Sequence, residues 1–150
     1  MFDTCLEYNS VTWSSHLKQD ITQIEKVQRQ FTKRLRGFKG LTYTDCLAKL
    51  DLPSLKLRRI HLDLIYCYKI VFGLVKLEFS DFFEFSLSYT RGYAYKIIQN
   101  EMQQWQQIFW ACRVINVWNS LPDTVSFTSL STFKRSIKMV EFTSFSVYNE

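Results

Sequence analysis

The stretch LKLRRIHLDLIYCYKIVF, residues 55–72, decides the fold class of this chain. Its apolar side chains recur at steps of three and four residues, so they share one face of a helix. They are Leu57, Ile60, Leu64, Cys67, Tyr68 and Val71. Other apolar residues fill much of the remaining circumference, which is typical of a helix at the centre of a bundle. With Ser54 as its cap and Gly73 as its end, the stretch predicts a buried central helix.

An upstream helix is predicted to carry two opposite stripes. One stripe is apolar and is expected to be buried; it comprises Leu17, Ile21, Ile24, Val27, Phe31 and Leu35. The other is basic and comprises Lys18, Lys26, Arg29, Lys33 and Arg36. We expect Ser14 or Ser15 to cap this helix, and Gly37 and Gly40 to end it near Arg36. The pattern suits a helix that packs on a bundle and meets negative charge; the alternative is a solvated polar face.

Short elements are predicted on either side of the central helix. Thr42 with Asp45 resembles a capping box and predicts a helix from Tyr43 to Leu50, which Pro53 ends. A short turn of helix is expected from Ser80 to Ser86.

Two further helices are predicted towards the end of the chain. One runs from Gln104 to Leu121 and ends at Pro122. The other runs from Thr132 to Glu141, with Ser131 as its cap.

The pattern as a whole predicts an all-α fold. Tyr93, Tyr95 and Ile97 alternate, which favours a small β-hairpin or an extended arm near residues 88–98. We therefore expect an irregular bundle of about five helices with at most one such hairpin. At 150 residues, 47% of them hydrophobic, the chain is long and apolar enough to bury the core of one domain.

The positive charge lies in the first part of the chain. Residues 16–60 hold eleven Lys or Arg and four Asp or Glu, whereas the remainder has a net charge of −2. This uneven distribution of charge favours nucleic acid as the first candidate partner and an anionic membrane as the second. No apolar run approaches the roughly 18 residues of a spanning helix, and no signal pattern is visible. We expect no membrane partner and an intracellular protein, nuclear or cytoplasmic, that is not secreted.

The residue types that support catalysis are dispersed. The four cysteines, Cys5, Cys46, Cys67 and Cys112, contain no Cys-x-x-Cys pair, and neither histidine is close to one in sequence. Zinc sites usually bring their ligands in close pairs. No nucleophile with a histidine partner and no glycine-rich phosphate loop is recognisable. We expect no metal, no cofactor and no independent enzymatic activity.

Several short motifs resemble, in order, the region that follows the palm in LINE-type (non-LTR) retrotransposon reverse transcriptases of the jockey-like branch. They are Leu6-Glu7-Tyr8, Trp13, residues 24–29, residues 37–41, residues 52–55, Arg58-Arg59, Thr90-Arg91-Gly92, residues 117–122 and Thr132-Phe133-Lys134. The resemblance implies a helical thumb and C-terminal tail that grip nucleic acid. From the length and pattern of the chain we expect a single domain over residues 1–141 and a loose tail over 142–150.

The chain departs from that family in the residues of the catalytic palm. Polymerisation by two metal ions needs paired carboxylates, and the family places two adjacent aspartates on a hairpin. All seven aspartates of this chain are isolated in sequence. The resemblance therefore implies a non-catalytic fragment or truncated copy of the reverse transcriptase, which binds RNA or DNA weakly and non-specifically. The alternatives are a helical protein-interaction module with exposed apolar surface and a relic without function.

A single basic surface is the expected nucleic-acid contact. Its predicted members are Lys26, Arg29, Lys33, Arg36, Lys39, Lys56, Arg58 and Arg59, with Arg91 and Tyr93 from an aromatic and basic segment. The surface is continuous only if the first and central helices pack side by side. In the aromatic segment, rings beside cations can stack on unpaired bases, and an ordinary strand is the alternative.

The helix predicted from Gln104 to Leu121 contains two further motifs. Trp105 and Trp110 are either core residues or anchors for a protein partner, because tryptophan is favoured in interfaces. Near the helix end, Asn119 and Ser120 are expected to bond backbone groups, and Pro122 prevents continuation.

Overall fold

The computed structural model describes residues 18–87, 95–100 and 105–142. The chain divides into two compact units, Met1–Arg59 and Ile60–Glu150. The described residues form five α-helices, one 3-10 helix and two short strands. In chain order they are α1 (Lys18–Arg34), α2 (Tyr43–Lys49), α3 (Leu55–Val71), the 3-10 helix (Phe79–Asp81), β1 (Phe83–Phe85), β2 (Ile97–Gln99), α4 (Trp105–Asn119) and α5 (Leu130–Ile137). This confirms the predicted helical fold with one small hairpin.

The local start and stop signals of α2 and α3 act as predicted. The Thr42 hydroxyl accepts the Asp45 N–H at 3.2 Å and caps α2. The Ser54 hydroxyl accepts the Leu57 N–H at 3.2 Å and caps α3. At the other end of α3, Gly73 has a φ of +64° and donates its N–H to Ile70, while the Leu74 N–H reaches the Lys69 carbonyl at 2.7 Å. This pair of bonds is the Schellman arrangement, which glycine permits because it has no Cβ.

The buried side of α1 differs from the predicted one. Val27 and Phe31, expected in the core, are 41% and 43% exposed, whereas Gln28 and Thr32 are 3% and 1% exposed. Thr32 tolerates burial because its hydroxyl donates to the Arg29 carbonyl at 3.0 Å. The helix is therefore rotated towards its polar side, and the prediction that the whole apolar stripe is buried was wrong.

The second unit has an aromatic core around Tyr68 of α3. The Tyr68 ring stacks on Phe72 and Phe133, with centroids 4.3 and 4.6 Å away. Its hydroxyl donates to the Phe127 carbonyl at 2.9 Å. Trp118 is fully buried and lies 5.7 Å from Phe133. Large rings with a satisfied polar group supply much of the apolar burial in such a core.

Helix α5 begins and ends earlier than predicted. The Ser129 hydroxyl accepts the Thr132 N–H at 3.2 Å, and the Thr132 hydroxyl accepts the Ser129 N–H at 3.0 Å. This reciprocal capping box fixes the start, so the prediction of Ser131 as the cap was wrong. The helix runs from Leu130 to Ile137 rather than to Glu141.

A strand replaces most of the helical turn predicted over residues 80–86. After the 3-10 helix, β1 pairs antiparallel with β2, in a register that places Phe83 opposite Gln99 and Phe85 opposite Ile97. Phe83 is buried while Glu84 is exposed. Phe85 is exposed as well, so these three residues do not alternate in burial, and a run this short is ambiguous in sequence.

Asn119 closes the outer edge of the hairpin. Its Oδ1 accepts the Ile97 N–H at 3.0 Å, and its Nδ2 donates to the Ile97 carbonyl at 2.7 Å. The neighbouring Trp118 indole donates to the Tyr95 carbonyl at 2.7 Å. The predicted backbone-bonding role of Asn119 is thus observed, but on a strand rather than on its own helix. Ser120 does bond its own helix, donating to the Val117 carbonyl at 2.8 Å.

We expect Asn119→Ala to lower the free energy of unfolding by about 2 kcal/mol, because two hydrogen bonds are lost at a half-buried strand edge. Asn116→Ala on the exposed side of the same helix is the matched control. Urea denaturation measures both variants. An Asn119→Ala midpoint equal to that of the control would contradict a clamping role.

His61 makes the stability of the second unit depend on pH. Burial and the Lys138 charge lower the pKa of His61, and a hydrogen bond to the Ile137 backbone opposes them in part. The unfolded chain, with a histidine pKa of about 6.5, then takes up this proton at a higher pH than the folded chain. We expect the free energy of unfolding to fall as the pH drops from about 7.5 through that value. In His61→Gln the fall should be smaller, as measured by urea denaturation at several pH values; an identical fall would refute the assignment.

Candidate nucleic-acid interface

Glu25 joins α1 to α2 and to the first turn of α3, all within the first unit. Its Oε2 accepts the Tyr43 hydroxyl at 2.6 Å, and its Oε1 accepts the Lys56 N–H at 3.1 Å. That N–H belongs to the first turn of α3, where backbone donors have no partner within the helix. A carboxylate in this place is further favoured by the helix dipole. One side chain therefore fixes α1 against α2 and the start of α3.

The Tyr43 hydroxyl remains a donor to Glu25 over the physiological pH range. Burial raises the pKa of Tyr43 far above its ordinary value, and the hydrogen bond and charge of Glu25 raise it further. Ionisation of this phenol would place a second negative charge beside the carboxylate. The bond is therefore a stable feature of the first unit.

The ring of Tyr43 also contacts Arg29. The Arg29 guanidinium carbon lies 4.9 Å from the centroid of the Tyr43 ring, within the range of a cation–π interaction. Arg29 itself is exposed. Its cationic group is thus held at the surface by the same tyrosine that bonds Glu25.

Three predicted contact residues share one exposed side of α1. Lys26, Arg29 and Lys33 are all exposed, and at 100° per residue they fall within an arc of about 60°. Arg36 and Lys39 are exposed in the turns after the helix. None of these five forms an ion pair with an acidic side chain in the part of the chain that the structure describes. They constitute what we call the α1 basic face.

The predicted contact residues of α3 have a different environment. Lys56, Arg58 and Arg59 are half-buried. Burial lowers the pKa of Lys56, and the charge of Glu25 opposes this shift. The structure does bring α1 next to the first turn of α3, through Glu25 and the Lys56 N–H. Among the predicted contact residues that the structure describes, the exposed cations nevertheless come from α1 and the turns after it.

The aromatic and basic segment is described only in part. Arg91 and Tyr93, both predicted contacts, lie outside the described residues, as does Tyr89. The Tyr95 ring packs at 5.2 Å on Phe72 and 5.3 Å on Phe127. For Tyr95 the structure therefore shows an ordinary packing role.

Trp110 takes the core alternative of the two that were predicted for it. It is buried, and its indole N–H donates to Asp63 Oδ1 at 3.1 Å. The Arg113 guanidinium donates to both carboxylate oxygens of Asp63, at 2.8 and 3.0 Å. Paired bonds of this kind satisfy a buried charge. The side chain of Trp105 lies outside the described residues, so its role as a partner anchor stays a prediction.

Sequence reasoning missed Glu25 and Tyr43, which organise the candidate interface. Glu25 gave a weak signal, because an acidic residue four positions before Arg29 breaks an otherwise basic series. Tyr43 gave none, since its contacts come from residues distant in sequence.

Two other kinds of feature are not found over the described ranges. No group of three or more His, Cys, Asp or Glu residues there is placed to hold a metal ion. Among those residues, no helix has the length and apolar character needed to cross a bilayer. Cys46 and Cys67 are buried free thiols, and burial raises the pKa of Cys67.

Comparisons with models of known protein families, with curated protein sequences and with solved structures give no significant match.

Proposed function

We propose that this chain binds RNA or DNA without catalysing a reaction, through the α1 basic face. The observation that carries the proposal is the shared exposure of Lys26, Arg29 and Lys33 on one side of a helix, with no acidic partner among the described residues. Exposed cations that form no ion pair with an acidic side chain can bind a polyanion such as nucleic acid.

The spacing of these cations suits a phosphate backbone. Lys26 and Lys33 are separated by about 10 Å along the helix axis, which matches the rise of about three nucleotides at 3.4 Å each. Contacts to phosphates position a strand without reading its sequence. We therefore expect low sequence preference and an affinity that falls steeply with salt.

The charge distribution supports the same surface. Residues 1–59, which form the first unit, hold eleven Lys or Arg and six Asp or Glu, whereas residues 60–150 hold eight of each. The whole net charge of +5 thus belongs to the unit that contains α1. A field of one sign steers a charged ligand towards that part of the chain.

The resemblance to the thumb of LINE-type reverse transcriptases is in keeping with this proposal. A thumb holds the nucleic acid, while the palm, whose paired aspartates are missing from the sequence, supplies the chemistry. We therefore propose a thumb-like, non-catalytic nucleic-acid binder derived from such an enzyme. The rival proposal is a helical protein-interaction module, which does not require salt-dependent binding of nucleic acid.

The double charge reversal Arg29→Glu with Lys33→Glu tests the face. We expect the dissociation constant for a short labelled duplex to rise at least ~10-fold at low salt, and the salt slope to decrease by about 2. The matched control is Lys134→Glu with Arg135→Glu, which removes the same two residue types from exposed positions of α5. Fluorescence anisotropy between about 50 and 200 mM salt measures both effects.

Equal losses in the two variants would show that only net charge matters and would refute the face. Wild-type binding that is absent or insensitive to salt would refute the function and favour the protein-interaction module. Parallel titrations with single-stranded RNA, single-stranded DNA and duplex establish the preferred strand type.

A further inference from the structure

We propose that Tyr43 is a positioning residue for nucleic-acid binding, which acts by holding the Arg29 guanidinium ready for a phosphate. The inference rests on the proposed function and goes beyond it, because it assigns different roles to Arg29 and to the other cations of the face. Tyr43 need not touch the ligand itself.

An exposed arginine side chain loses conformational freedom when it is fixed on a ligand. Over the Tyr43 ring, at 4.9 Å, part of this freedom is already lost before binding. Preorganisation of this kind raises affinity without adding a contact to the ligand.

The Tyr43 ring is itself held in place. Tyr43 is the first residue of α2, directly after its Thr42 cap. Its hydroxyl is bonded at 2.6 Å to Glu25 of α1, and the other oxygen of that carboxylate is bonded to the Lys56 N–H of α3. The ring is thus fixed by α1, α2 and the first turn of α3, all within the first unit. A cation placed over the ring therefore has a defined position.

The guanidinium donors of Arg29 remain available to a ligand. The Arg29 side chain makes no hydrogen bond to other residues in the described part of the chain. Its planar fork can therefore donate in a bidentate manner to a phosphate, which an ammonium group cannot do. Lys49 is a contrasting case, because its ammonium lies 4.8 Å from the Phe38 ring but already donates to the Gly37 carbonyl at 3.4 Å.

A double-mutant cycle tests the assignment. We expect Tyr43→Leu to weaken duplex binding by about 3-fold, which corresponds to a cation–π contribution at an exposed site. The salt slope should stay unchanged because no phosphate contact is removed. In an Arg29→Gln background the Tyr43→Leu effect should vanish, whereas in a Lys33→Gln background it should persist in full. Tyr43→Phe, which keeps the ring but loses the bond to Glu25, should bind with an affinity between those of the wild type and Tyr43→Leu.

The outcomes separate this inference from the proposed function. If Arg29→Gln and Lys33→Gln both bind like the wild type, the proposed face is wrong and the inference is overturned with it. If they weaken binding but Tyr43→Leu has no effect, or the same effect in the Arg29→Gln background, only the positioning role is overturned.

A second variant covers the case in which circular dichroism shows that Tyr43→Leu is unfolded. Arg29→Lys changes an exposed residue, keeps its charge and removes the planar group. We expect it to weaken binding by about 3-fold, because the bidentate donor is lost, with an unchanged salt slope. Wild-type affinity in Arg29→Lys would overturn the proposal.

Discussion

The hydrogen bonds of the Glu25 carboxylate are the interaction on which the first unit depends. One oxygen accepts the Tyr43 hydroxyl and the other accepts the Lys56 N–H, so a single residue of α1 is tied to α2 and to the start of α3. Charged acceptors form the stronger kind of protein hydrogen bond. Because Glu25 must face inwards, Gln28 and Thr32 on the same side of α1 are buried with it, and the α1 basic face is left exposed.

Local signals in the sequence predicted much of the fold correctly. The caps at Thr42 and Ser54 and the glycine end at Gly73 were predictable because each depends on neighbours within a few residues. The buried side of α1 was not, because apolar periodicity ignores a polar contact such as that of Glu25. The strand β1 was missed for another reason: three residues are too few to establish a period.

The candidate site was predictable in its charges and not in its organisation. The exposure of Lys26, Arg29 and Lys33 follows from their shared side of a helix. The contact between Arg29 and the Tyr43 ring does not follow from the helix pattern. Tyr43 comes next to Arg29 only because the chain turns at Gly37 and Gly40, which have φ values of +84° and +91°. In the second unit, likewise, the bonds of Asn119 to β2 join residues 22 positions apart. A local sequence pattern therefore cannot predict them.

Protection of individual lysines from acetylation by a bound duplex, read by mass spectrometry, is the most direct test that the α1 basic face holds nucleic acid. Lys26, Lys33 and Lys39 belong to the face, and Lys76, Lys134 and Lys138 are controls in the same molecule that are also exposed. The account predicts that added duplex slows acetylation of the first three and leaves the other three unchanged. Equal protection of both sets, or protection of the controls alone, would contradict it.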